Sequence, residues 1–176
     1  MSQQHPHGRL IAEAMLLGSA PDGEERDYTP AVYGALLVTT LIAAQWHATL
    51  SGLVVAASLL ISVVVFWLTH VWSGLVNRRL RGPTTRADVT HQMRLESPML
   101  ASLILPTAVL LVGQVLGVDA ALLIDLALVT SIAQLFVWGL AVGRTVHTSW
   151  ALAIRVATID CLLGIAIVVL KVFVLH

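Results

Sequence analysis

Between residues 51 and 76 the chain carries no Asp, Glu, Lys or Arg, and His70 is the one ionisable side chain in the run. A bilayer-spanning helix needs roughly 20 mostly apolar residues to cross about 30 Å of hydrocarbon. A segment like this has no polar stripe to turn toward water, so its natural solvent is lipid. Four more segments qualify, at about 30–48, 98–117, 120–142 and 150–174. The whole chain of 176 residues is 57% hydrophobic and 11% charged, against about 25% charged in ordinary soluble domains. The expected fold is therefore all-α: a polytopic membrane protein built as a five-helix transmembrane bundle.

Local signals refine the spans. Thr29 stands as a cap before Pro30, which suits a first helical position. Pro106 predicts a kink in the third span. The connections at 47–51 and 117–119 are short enough to force tight antiparallel hairpins. Within the 77–97 loop, Thr85 and Asp88 have the spacing of a capping box that opens a short helix.

Arginine placement predicts the orientation. With five spans, Arg9, Arg26, Arg78, Arg79, Arg81, Arg86, Arg94, Arg144 and Arg155 all fall at one end, and only Lys171 approaches the other. By the positive-inside rule the N-terminus is cytoplasmic and the C-terminus outside. Residues 1–29 then form a cytoplasmic segment. Its stretch from Leu10 to Leu17 has the pattern of a short amphipathic helix and is interrupted by Glu13, unlike a signal peptide. Residues 30–176 form the transmembrane domain, with 77–97 as a cytoplasmic arginine-rich loop.

Composition and motifs exclude several function classes. Net charge is zero, so nucleic acid is not an expected partner. A single cysteine, Cys161, allows no intrachain disulfide. No phosphate loop, dinucleotide turn, nucleophile elbow or metal-binding helix motif is present. No catalytic residue, metal or cofactor is expected.

The polar groups inside the spans are the functional candidates, since ionisable residues in a bilayer are costly. Counting about 1.5 Å per residue from the arginine-bearing ends places His70, Asp160, Gln134, Thr39 and Thr40 at one depth near the midplane. This layer predicts an ion or proton pathway, with Asp160 paired to His70 and a proton or small cation as cargo. Asp125 lies about 9 Å inside the opposite end, within reach of a vestibule or of Gln114. The competing expectation is that these groups only bond to one another and hold the bundle together. A non-transporting accessory subunit of a larger complex is the alternative function. A lipid-directed enzyme using His91 and Glu96 lacks a nucleophile. Small residues at Gly113 and Gly117, and at Gly139 and Gly143, have the spacing that lets helices approach closely. The expected partners are the lipid bilayer and further copies of the chain.

The segments Y-G-A-L-L-V-T-T at 33–40, F-W-L-T-H-V-W at 66–72 and E-S-P-M at 96–99, with a terminal L-K-x-x-x-x-H, resemble a group of small bacterial multi-pass proteins described as hypothetical integral membrane proteins. The resemblance covers most of residues 30–176. It implies the bacterial inner membrane and carries over no activity and no site residue.

Overall fold

The computed structural model describes residues 27–45, 50–146 and 149–175. All regular structure among them is helical: α1 Thr29–Ala44, α2 Gly52–Arg79, α3 Arg86–Ala101, α4 Ile104–Val115, α5 Ala120–Val146 and α6 Trp150–Leu175. The expected amphipathic helix at 10–17 and the last residues of the first span lie outside the described residues, as does the Lys171 side chain.

Three helices, α2, α5 and α6, are long and apolar enough to cross a membrane, and there are four if the bent pair α3–α4 is one span. Such a set is compatible with a multi-pass integral membrane protein. The surface points the same way. Ile61, Val65, Trp72, Val112, Val129, Ile159 and Leu162 are all more than half exposed, and a soluble monomer rarely presents so much contiguous apolar surface. With its 16 residues, α1 spans about 24 Å and is the short member.

The enclosed helix is α1. It packs against α2, α3, α5 and α6, while α2 and α6 share no substantial interface. Val38 and Ile42 of α1 meet Val55, Leu59 and Val63 of α2, Met99 and Leu110 of the bent pair, and Leu123 and Ile124 of α5 in one core. In contrast, α6 is peripheral. Only 17% of its most apolar stretch is buried, against 39% for α5.

Helix ends follow their sequences. Thr29 is already helical rather than the cap: Asp27 Oδ1 accepts its N–H at 2.9 Å, and Tyr28 holds the cap position without a side-chain bond. Thr85 and Asp88 form a reciprocal capping box at α3. The end of α4 is a Schellman turn. The Val118 N–H reaches the Gly113 carbonyl at 3.0 Å and the Gly117 N–H reaches Gln114 at 3.2 Å, with Gly117 at φ 71° as the left-handed residue this turn requires. Asp119 Oδ2 then accepts from Ala121 and Leu122 and starts α5.

The third span bends by 45°, but the break falls at Ser102–Leu103, not at Pro106 itself. A proline has no N–H for the carbonyl four residues back, and its ring collides with that carbonyl. The residue four before Pro106 is Ser102, so the helix opens there and Pro106 sits buried in the first turn of α4. Pro98 leaves the Arg94 carbonyl in the same state, yet α3 continues through it. The Ser97 hydroxyl donates to Arg94 O at 2.8 Å and replaces the missing bond locally.

Candidate functional site

The polar side chains buried in the bundle are Thr39, Ser102, Ser131 and Gln134. They gather where α1 and α5 meet the break in the third span. Thr39 Oγ1 donates to the Ala35 carbonyl at 2.8 Å and lies 3.1 Å from Ser131 Oγ. Ser131 Oγ in turn donates to Leu128 O at 2.8 Å. A hydroxyl in a helix of an apolar bundle has few other acceptors, so it bonds back to its own turn.

Gln134 reaches the break itself. Trp138 Nε1 can only donate, so the amide oxygen must face it. In that orientation Oε1 accepts from Trp138 at 3.1 Å and Nε2 donates to Ser102 O at 3.3 Å. The opposite orientation leaves one long bond of 3.4 Å to Ala101 O and turns the indole N–H toward an amine. The first is chemically consistent. Gln134 thus supplies a donor to the very carbonyl that Pro106 cannot serve. A Cβ on Gly34 would lie 2.5 Å from Ser102 Oγ and 2.6 Å from Met99 O, so only glycine lets α1 lie against the break.

The other predicted site residues are elsewhere. Thr40 bonds its own helix at Leu36 O, 2.8 Å. His70 lies against Tyr33 and Phe66, with ring centroids 5.5 and 4.8 Å away. Its Nδ1 is 3.2 Å from the Phe66 carbonyl. A carbonyl only accepts, so Nδ1 carries a proton in this contact. Asp160 packs on α5: a Cβ at Gly139 would sit 2.5 Å from Asp160 Oδ2 and 2.8 Å from Ala157 Cα. That places Asp160 beside Gly139, five residues or about 7.5 Å of rise nearer the arginine-bearing end than Gln134. His70 and Asp160 stand on α2 and α6, two helices without a substantial mutual interface, and make no hydrogen bond to each other among the described residues. Asp125 is exposed on α5. Gln114, offered as its partner, instead accepts the Gly52 N–H at 2.7 Å and holds the start of α2.

The four glycines also separate. Gly143 would clash with Ala153, its added Cβ only 2.6 Å from Ala153 Cα, so Gly139 and Gly143 line a close α5–α6 seam. Gly113 receives the Leu123 side chain, while an added Cβ on Gly117 would meet nothing within 4 Å; Gly117 serves the turn and not a helix contact.

Ser131 and Ser102 escape a search for conspicuous polar residues. Both were signalled indirectly: Ser131 is one turn before Gln134 on the same face, and Ser102 is four residues before Pro106. Comparison with known protein families, with curated proteins and with solved structures finds no match to this chain.

Proposed function

We propose that the chain is a five-span protein of the bacterial inner membrane, arginine-bearing end cytoplasmic, that acts as a non-conducting subunit and packs laterally against a partner. It counts α1 as the fifth crossing, because α1 is the helix most enclosed by the others.

One contrast carries this reading. The midplane hydroxyls and the Gln134 amide are consumed inside the bundle: the hydroxyls donate to carbonyls of their own helices, and the amide bonds Ser102 O and the Trp138 N–H. The carboxylates are not. Asp160 and Asp125 have no hydrogen-bond or ion-pair partner among the described residues, and Asp125 is exposed. Polar groups that satisfy one another work as glue. Ionisable groups left open in an apolar surface call for a complement from another helix.

Reconstitution into liposomes tests this against the transport alternative. The expected result is no pH- or cation-driven flux above that of empty vesicles. In mild detergent, Asp160→Asn and Asp125→Asn should leave the isolated chain equally stable and weaken its association with further chains, a second copy included. A flux that His70→Ala or Asp160→Asn abolishes would establish transport and overturn the subunit role.

A further inference from the structure

We propose that the outer face of α3 is a docking surface for the headgroups of anionic phospholipids. The inference rests on the membrane reading but not on the subunit role. Arg86, Thr90, Met93, Arg94 and Ser97 fall on one exposed side of the helix. Arg86 and Arg94 are eight residues, about 12 Å, apart along it. Neither has a partner among the described residues, and Arg81 in the adjoining loop is likewise open.

Three described carboxylates at this end bond elsewhere. Asp88 pairs with Arg78 and accepts from Thr85 N and Oγ1 at 2.9 and 2.8 Å. Glu96 accepts from Gln92 Nε2 at 3.2 Å, and Asp27 accepts from Thr29. None of these carboxylates bonds to Arg86 or Arg94, so both guanidinium groups stay open to an anion from outside the described residues.

The height of the face suits a headgroup. Arg79 lies 5.0 Å over the Trp72 ring and Arg144 lies 4.3 Å over Trp150. Exposed tryptophans under arginines are the mark of a membrane–water boundary. Leu80, 82% exposed, and Met93 offer apolar contact beside the charges. Arginine's planar fork matches phosphate geometry.

Full-length protein in mild detergent, titrated with short-chain phosphatidylglycerol, short-chain phosphatidylcholine or inorganic phosphate and followed by thermal midpoint, tests the proposal. Phosphatidylglycerol should bind more tightly than phosphatidylcholine, and added salt should erode the difference. A juxtamembrane arginine contributes about 1 kcal/mol toward an anionic surface, roughly five-fold in affinity. Arg86→Gln with Arg94→Gln should thus weaken phosphatidylglycerol binding about thirty-fold and leave phosphatidylcholine binding unchanged, while lysine at both positions restores most of it. Equal affinity for the two lipids, an unaffected glutamine double variant, a lysine variant as weak as the glutamine one, or protection by inorganic phosphate equal to that by lipid would each overturn it.

Discussion

The two buried faces of α5 solve the same problem in opposite ways. Toward α6, the helix removes atoms: Gly139 and Gly143 bring Ala157 and Ala153 of α6 into backbone contact. Toward α1 and the broken third span, it adds polar atoms: Ser131 and Gln134 meet Thr39 and Ser102, with Trp138 of α5 itself bonding the other end of the Gln134 amide. Lipid removes the hydrophobic drive for either contact, so each must find its own source of attraction. The first uses van der Waals closeness. The second uses donors and acceptors that have no alternative partner in hydrocarbon. A close seam resists any added atom, whereas a bonded face resists the loss of one.

Substitutions can break this contrast in order of effect. The largest expected loss comes from Gly139→Ala combined with Gly143→Ala. Overpacking costs about 1–3 kcal/mol per site, and while the Asp160 side chain beside Gly139 can swing aside, the Ala157 and Ala153 backbone atoms cannot. Denaturant titration in micelles should show the double variant destabilised by several kcal/mol, and Asp160 should become more accessible as α6 moves off. A double variant as stable as the parent would mean the seam is loose. Next is Gln134→Ala, which strands the Trp138 N–H and the Ser102 carbonyl. Unsatisfied buried groups cost about 1–3 kcal/mol, and the Trp138 fluorescence should shift with the loss. Gln134→Leu should fare no better, since shape without a donor leaves both groups unserved. Thr39→Val removes the bond to the Ala35 carbonyl together with the contact to Ser131 and should cost about 0.6 kcal/mol, the typical value for side-chain bonds between helices in membranes.

The smallest expected effect lies outside the apolar spans and is set by pH. The Thr85 N–H and hydroxyl, and then the Arg78 guanidinium, hold the Asp88 carboxyl below the usual carboxylate range. A group depressed in the folded state stabilises it above the unfolded pKa, and that contribution fades as pH falls through the folded value. Detergent-solubilised protein should therefore lose a little stability below about pH 4, and Asp88→Asn should remove that part of the acid dependence. An unchanged acid profile in the variant would show that the capping box contributes nothing measurable.

Much of the fold was legible because apolar run length maps directly onto helix length. The runs at 51–76, 120–142 and 150–174 correspond to α2, α5 and α6 within a few residues. The site was legible only in part. Thr39 and Gln134 stand out as polar letters in apolar text, and both are buried. His70 and Asp160 were set beside them by counting residues along each helix. Counting gives depth but not azimuth, so two groups can share a level and face away from each other. It also inherits the error of each starting point, and Asp160 proves nearer the arginine-bearing end than Gln134. The break at Ser102 was displaced for a different reason: a proline disturbs the turn before it, not the turn it occupies.

The two prolines of the third span differ in when they can be repaired. Ser97 stands next to Pro98, so the Arg94 carbonyl regains a donor as soon as that turn forms. The donor for Ser102 is Gln134, more than thirty residues further along the chain. A ribosome builds Pro106 well before Gln134, so during synthesis the break remains open until the next span has been made and docked. The bent pair α3–α4 gains its last donor only after α5 arrives, which makes α5 the closing piece of the hairpin as well as its second half.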